Sequence, residues 1–241
     1  EPTAKRKAAR DPLRPLWLKR ALAAAWALAA LVAVLACAVK IKTVMMRNDA
    51  FTETFYIIQS EKIDRAVRTV HLSDLHLKQY GKDNARLIER VKALKPDFIS
   101  LTGDMLTYGA GKRETVYSLC RELAAVAPTY YAYGNHELNE ILINGVDLKT
   151  ELEATGVTVL SREFVRAEIG GNDFVIGGLS QEGAGIDEYA PGFMESFVAE
   201  DGFRLLLTHY PSNFDGWIEG YPIDLALCGH EHGGVVRLPV I

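Results

Sequence analysis

Cysteine is scarce in this 241-residue sequence, which contains only Cys37, Cys120 and Cys228. Their wide spacing, with Cys37 inside an apolar run, indicates neither a disulfide framework nor a structural zinc knot. No internal repeat is present, and 20 glycines with 9 prolines give no low-complexity signal. About two hundred residues remain after the first forty, enough for one domain with a substantial core and too few to favour two.

Acidic residues are scarce at the N-terminus. Residues 1–20 hold seven lysines and arginines against Glu1 and Asp11, a net charge of +5. Because the whole chain has a net charge of −4 and residues 21–39 are uncharged, the remaining body has a charge of −9. Such an acidic body disfavours general nucleic-acid binding, so no nucleic-acid partner is expected.

The longest apolar run covers residues 21–39 and contains no charge. As a helix it would be roughly 28 Å long at about 1.5 Å per residue, close to the hydrocarbon thickness of a bilayer. Trp17 and the flanking basic residues suit the interfaces, so the sequence predicts a single-pass membrane anchor. The basic flank predicts a cytoplasmic N-terminus with the body on the outer face of the cell membrane. A cleaved signal sequence is the alternative, because Ala36-Cys37-Ala38 resembles a processing site.

Four segments follow from these observations: a basic cytoplasmic tail at 1–20, the anchor at 21–39, a juxtamembrane segment with a first strand at 40–66, and a folded domain at 67–241. Periodicity and turn residues predict helices at 84–94 and 113–126, a further helix that ends at 155, and another at 187–198. Strands are predicted at 52–59, 66–72, 97–101, 129–133, 157–160, 164–169, 174–178, 203–208, 223–227 and 234–238. This alternation indicates an α/β class, with parallel strands early and antiparallel strands inserted later.

Short polar motifs follow five of the predicted strands. They are Asp74-Leu75-His76, Gly103-Asp104, Gly134-Asn135-His136-Glu137, His209, and Gly229-His230-Glu231-His232. Ligands of open α/β sheets collect beyond the carboxyl ends of strands, so the five loops are expected to converge on one pocket. The three glycines are expected where the backbone turns tightly or approaches another group closely. His71, inside the strand before Asp74, is interpreted as a packed and hydrogen-bonded residue.

In their order and spacing these motifs resemble the calcineurin-like metallophosphoesterase family, whose pattern is D-x-H, G-D, G-N-H-[DE], a later H, and G-H-x-H. The resemblance covers about residues 68–238. The string from Gly229 to Gly234, with Arg237-Leu238-Pro239 after it, resembles the membrane-anchored bacterial YkuE-type branch. Glu231 and Val235 depart from that branch, which usually has Thr and Gln there. The resemblance implies the αββα metallophosphoesterase fold, in which two mixed β-sheets pack as a sandwich flanked by helices, here after one N-terminal transmembrane helix.

Roles for eight residues are implied by the resemblance. One metal would be held by Asp74, His76 and His232, the second by Asn135, His209 and His230, and Asp104 would bridge both. His136 would be catalytic, as a proton donor or electrostatic aid beside the leaving group. Carboxylate, amide and imidazole donors without thiolate suit two divalent ions such as Mn, Fe or Zn. Glu137 and Glu231 are given no role.

The resemblance therefore predicts a membrane-anchored phosphoesterase that hydrolyses a phosphodiester or pyrophosphate bond by attack of a hydroxide shared between two metals. Its location near a bilayer makes a lipid-linked or nucleotide substrate the candidate. A metal-dependent phosphomonoesterase and a non-catalytic metal-binding interaction module are the alternatives. Because relatives continue beyond the position of Ile241, a C-terminally truncated domain is also expected.

Overall fold

The structure, a computed structural model, describes residues 16–48, 51–180 and 192–232. Helix α1, Leu16–Asn48, belongs to a unit that is separate from the second unit, residues 55–241. The helix is longer than the predicted anchor because helix-forming residues without glycine or proline flank the apolar run on both sides. Its stretch Trp17–Lys40 is long and apolar enough to cross a membrane, a property that a signal sequence shares.

The strand predicted at 52–59, within the segment 40–66, is wrong. Residues 51–59 form no strand, and the side chains of Phe55, Tyr56, Ile57 and Ile58 are exposed. Aromatic and β-branched residues favour a strand only where a neighbouring strand supplies hydrogen bonds and packing. None of the strands that the structure describes pairs with this run, so its β propensity is not realised.

Among the described residues, the first sheet contains four parallel strands in chain order: β1 (Thr69–Leu72), β2 (Phe98–Leu101), β3 (Thr129–Tyr131) and β4 (Thr158–Val159). Its connections contain α2 (Ala85–Leu94), α3 (Arg113–Ala124), α4 (Asn135–Asn144) and α5 (Leu148–Glu153). The helix predicted to end at 155 is therefore two helices. Gly145, with a φ of 64°, ends α4, and the Asp147 side chain caps α5 by accepting the Thr150 amide at 3.2 Å.

The second sheet is mixed. Strands β5 (Glu163–Ile169) and β6 (Asn172–Leu179) form an antiparallel hairpin through Gly170-Gly171, and β7 (Phe203–Thr208) and β8 (Leu225–Leu227) continue in parallel with β6. Helix α6 (Phe193–Val198) precedes β7. The beginning of the helix predicted at 187, the strand predicted at 234–238, Val235 and the Arg237-Leu238-Pro239 string lie outside the described residues.

The core arranges these elements as four layers. Phe98 and Tyr130 of the first sheet pack against Phe174 and Leu205 of the second, with the Phe98 and Phe174 ring centroids 5.7 Å apart. Because successive strand residues face opposite sides, Ile99 points to the other face, where the first sheet packs on its helices. A third cluster packs α6 on the outer face of the second sheet. This helix, sheet, sheet, helix order confirms the predicted fold class, with the first sheet parallel among the described strands.

Candidate metal centre

All eight residues predicted for the site lie just beyond the carboxyl ends of strands. Asp74 and His76 follow β1, and Asp104 follows β2. Asn135 and His136 form the first turn of α4 after β3. His209 directly follows β7, while His230 and His232 follow β8. The two sheets therefore contribute five loops to one end of the sandwich, as the sequence predicts.

One group of side chains contains Asp74, His76 and His232. Nε2 of His232 lies 3.3 Å from Oδ1 of Asp74 and 3.1 Å from Nε2 of His76. Possible ligand atoms of the three residues all lie within 4.8 Å of one another, a spacing at which one cation can contact all three. This group contains the residues that the resemblance implies for the first metal.

A second group lies beside the first and is more deeply buried. Nε2 of His209 is 3.2 Å from Nδ1 of His230 and 3.3 Å from Oδ2 of Asp104. Oδ2 of Asp104 is also 3.8 Å from Nε2 of His76, a member of the first group. One carboxylate oxygen of Asp104 therefore lies between imidazoles of the two groups, where a bridging ligand would be needed.

Asn135 provides an independent indication of a cation. Its Oδ1 atom is buried and has no hydrogen-bond partner among the described residues. A buried amide oxygen without a partner carries a free-energy cost of about 1–3 kcal/mol, which a hard divalent ion would remove. Together with the carboxylates and imidazoles, and with no thiolate, this donor set fits Mn, Fe or Zn rather than a soft metal.

The hydrogen bonds of His209 and His136 distinguish their chemistry. In the neutral form of His209, Nδ1–H donates to the Thr102 carbonyl at 2.7 Å, which leaves the lone pair of Nε2 directed into the site. In His136 the relation is reversed, because Nδ1 accepts the Tyr108 backbone N–H at 2.9 Å. The proton of neutral His136 is therefore on Nε2, which becomes a hydrogen-bond donor. Although His136 lies close to His76 and Asp104, this tautomer disfavours metal coordination.

Electrostatics favour an ionised Asp104. Burial alone would raise its pKa, but hydrogen bonds from His209 and from the His136 amide lower the pKa below its ordinary value. The same contact acts on His209. Burial alone would lower the pKa of this imidazole, but the hydrogen bond and the charge of Asp104 outweigh burial, so the pKa is raised. Burial lowers the pKa of His76, which favours the neutral imidazole that a metal requires.

The backbone of the site is strained. Five of the seven ligand-type residues have a positive φ: Asp74, His76, Asp104, His230 and His232. Such conformations cost of order 1–3 kcal/mol each and cluster at functional sites. The predicted close approaches are also present, since a Cβ on Gly103 would clash with the backbone of Gly134, and one on Gly229 would lie 2.6 Å from Oδ2 of Asp74.

Sequence reasoning missed the role of Glu137, whose carboxylate is fully buried. It accepts N–H groups from Asp104 at 2.7 Å, Met105 at 3.0 Å and Gly134 at 2.9 Å, and the Tyr131 hydroxyl at 2.8 Å. A glutamate at the third position of a helix is a signal that would have predicted the Gly134 contact. His71 hydrogen bonds to the Thr102 hydroxyl at 2.7 Å, as predicted, and burial lowers the pKa of its imidazole to about 4.

Comparison with known proteins agrees with this geometry. Residues 67–234 match the family described as calcineurin-like phosphoesterase. The chain is 30% identical to the uncharacterized metallophosphoesterase YkoQ of Bacillus subtilis, over 80% of this chain and 71% of that protein. Identity to YkuE of the same organism is also 30%, over 71% and 60% of the two chains.

The phosphodiesterase YaeI of Escherichia coli is 28% identical over 72% of this chain. The match spans 63% of YaeI, so this chain corresponds to only part of that relative. On the strength of the family match over most of its length, and of the similarity to YkoQ, the chain belongs to the calcineurin-like metallophosphoesterase family and is a metal-dependent phosphoester hydrolase.

Proposed function

We propose that the chain hydrolyses a phosphodiester or pyrophosphate bond at a centre of two divalent metals. Asp74, His76 and His232 would hold one metal, Asn135, His209 and His230 the other, and Asp104 would bridge them. The observation that carries this proposal is the position of Asp104 Oδ2, 3.8 Å from His76 and 3.3 Å from His209. A single site would not require one buried carboxylate oxygen between two groups of imidazoles.

Hydrolysis also requires an activated nucleophile and a proton donor for the leaving group. Bound metals would polarise the phosphoryl oxygens and lower the pKa of a shared water, which supplies the nucleophile. Because Nδ1 of His136 accepts the Tyr108 amide, the neutral ring keeps its proton on Nε2. This N–H would donate to the departing oxygen, whose charge rises as the bond breaks. The other oxygen of Asp104 accepts the His136 amide at 2.9 Å, which fixes the start of α4 relative to that carboxylate.

Two observations support a diester over a monoester. The relative YaeI is named a phosphodiesterase. The body of the chain has a charge of −9, and a diester or substituted pyrophosphate with one charge per phosphorus is repelled less than a dianionic monoester. Phosphomonoester hydrolysis and metal binding without catalysis are the competing outcomes.

Location guides the choice of substrate. We infer that α1 anchors the chain with its basic end in the cytoplasm and with the hydrolase domain on the outer face of the membrane. An enzyme attached to a bilayer meets phospholipid headgroups and lipid-linked nucleotides at high local concentration. A phosphoester close to a lipid is therefore the proposed substrate class.

The test combines metal analysis with a substrate panel on the full chain in detergent. Protein loaded with manganese should bind two metal equivalents and hydrolyse bis-p-nitrophenyl phosphate faster than p-nitrophenyl phosphate. Phospholipids and nucleotide sugars then define the natural class. Faster monoester hydrolysis would make the chain a monoesterase, and two bound metals without turnover of any substrate would favour the interaction module.

A further inference from the structure

A turn after β2 contacts α4 through two consecutive backbone amides. The Tyr108 N–H donates to Nδ1 of His136 at 2.9 Å, and the next amide, of Gly109, donates to Oε2 of Glu140 at 3.2 Å. His136 and Glu140 are four residues apart in α4 and therefore lie on the same helix face. The turn is thus held by two hydrogen bonds to α4, one to Glu140 and one to His136, which is the residue proposed to be catalytic.

Glu140 is firmly fixed in this position. Its side chain is 3% exposed, and its second oxygen accepts the Nη1–H of Arg113 at 2.8 Å. A buried carboxylate with a cation on one oxygen and an amide on the other resists displacement, because movement would leave a buried charge without partners. Gly109 has a φ of 74°, a left-handed conformation that glycine adopts without strain.

Loss of the turn would alter His136. Its Nδ1 can carry a proton only when no N–H points at that nitrogen, so the Tyr108 amide keeps the proton of the neutral ring on Nε2. Without this contact the ring could place its proton on Nδ1 and present an acceptor to the leaving group. The hydrogen-bonding role of His136 therefore depends on where the Tyr108 amide is held.

We propose that Glu140 is a positioning residue, which holds the turn at Tyr108 and Gly109 so that His136 keeps its proton on Nε2. The effect of Glu140 on catalysis rests on the proposed function. The tautomer itself is a property of the chain without metal. The two can therefore be tested separately.

The first measurement is the tautomer of His136 in the metal-free full chain labelled with ¹⁵N-histidine, with its signal assigned by loss in His136→Gln. The wild-type chain should show the Nε2–H form alone, and Glu140→Leu should show a mixture of both tautomers. Glu140→Gln, which keeps an acceptor oxygen for the Gly109 amide, should restore the wild-type signal. Glu151→Leu is the matched control, because Glu151 contacts Arg113 at 3.5 Å but not the turn.

The proposal is overturned if folded Glu140→Leu keeps the wild-type tautomer. An Nδ1–H form in the wild-type chain would overturn it as well, and this result does not depend on whether a Glu140 variant folds.

The second measurement is the rate with two diesters that differ in leaving group. A general acid contributes about 10²–10⁴-fold, so partial loss of the correct tautomer in Glu140→Leu should lower kcat about tenfold for an alkyl leaving group, with KM little changed. The rate with p-nitrophenolate as leaving group should change less than about twofold. An equal loss for both substrates would indicate general damage and reject positioning. If the wild-type chain hydrolyses neither diester, the proposed function fails while the tautomer still decides the role of Glu140.

Discussion

The chemistry open to His136 differs from that open to His209 because their Nδ1 atoms have opposite hydrogen-bond partners. A carbonyl at 2.7 Å from Nδ1 of His209 frees the lone pair of its Nε2, whereas an amide at 2.9 Å from Nδ1 of His136 places a proton on Nε2. A histidine of the first kind can bind a metal, and one of the second kind can donate a hydrogen bond. Two histidines that both contact Asp104 are thus suited to separate roles.

His136→Ala is expected to leave the metal content unchanged, because the lost nitrogen is a donor and not a ligand. Its effect should be a fall in kcat for diesters with poor leaving groups of about 10²-fold or more, the range of a lost general acid. Elemental analysis and leaving-group kinetics on the same preparation check both statements. Loss of a full metal equivalent in this variant would instead identify His136 as a ligand.

Asp104→Asn is expected to weaken both metals together. A neutral amide balances two dications poorly. Loss of a residue that only supports a metal ligand already lowers metal affinity by about 10–100-fold, so loss of a bridging carboxylate should lower manganese affinity at least about tenfold. Titration with manganese, followed by elemental analysis, measures the two equivalents. Asp201→Asn, at an exposed carboxylate outside the site, is the matched control. Loss of only one equivalent in Asp104→Asn would contradict a bridging position.

At the scale of elements, α4 organises the site. Its first two residues are Asn135 and His136, and its third, Glu137, binds the amides of the turn that carries Asp104. One further turn along the helix, Glu140 binds the Gly109 amide of the same loop. One short helix therefore positions Asn135 as the proposed amide ligand, His136 as the proposed proton donor, and the loop that carries Asp104.

Glu137→Leu should destabilise the domain strongly. The substitution leaves the buried amides of Asp104, Met105 and Gly134 without their acceptor, at about 1–3 kcal/mol for each. We expect the free energy of unfolding to fall by about 3 kcal/mol or more, measured by urea denaturation. Glu114→Leu, which removes an exposed carboxylate paired with Arg121, should change it by less than about 1 kcal/mol. If Glu137→Leu lowered the free energy of unfolding as little as Glu114→Leu does, the buried amides would have found other partners.

Gly134→Ala tests the close approach between α4 and the loop after β2. Because a Cβ at this position would clash with Oδ1 of Asp104, the carboxylate must move, and metal affinity should fall with stability. Gly111→Ala is the control, since its added Cβ meets no atom within 4 Å and costs only about 1–2 kcal/mol of backbone strain. Calorimetric manganese titration of both variants compares the effects. Unchanged affinity in Gly134→Ala would show that the carboxylate position is not critical.

The sequence predicts where the site lies better than it predicts which residues hold the loops of the site in place. Each motif follows an apolar run, and the carboxyl ends of strands meet at one end of the sheets, so the convergence of His76, His209 and His232 follows from pattern alone. Glu137 and Glu140 could not be assigned in the same way. Their partners are amides of a loop that lies about thirty residues earlier in the chain, and no local pattern specifies such a contact.

At the scale of the whole molecule, the parallel strands and helices were predictable because apolar periodicity is strong where an element is buried on one or both faces. The strand predicted at 52–59 is absent because the run is not buried against another element. Its residues have high β propensity, but a strand exists only through a partner that lies elsewhere in sequence. Similarly, the break between α4 and α5 depends on the left-handed conformation of Gly145, which a single glycine does not require.

Attachment of the full chain to a membrane is the prediction at the largest scale. Expressed in bacteria, the chain should stay in the membrane fraction after an alkaline carbonate wash and keep its full mass, because α1 would cross the bilayer. The double variant Leu28→Arg, Leu31→Arg should be released, since each arginine near the middle of a membrane helix costs about 2.5–3.5 kcal/mol.

Leu18→Arg is the matched control and should remain bound, because a long basic side chain near the helix end can extend to the headgroups. A shortened, carbonate-extractable protein whose N-terminus lies near Ala38 would identify the apolar helix as a cleaved signal sequence. The hydrolase domain would then be free of the bilayer. The argument from location for a substrate close to lipid would fail with it. The candidate metal centre would be unaffected, because its proposed ligands all lie between Asp74 and His232.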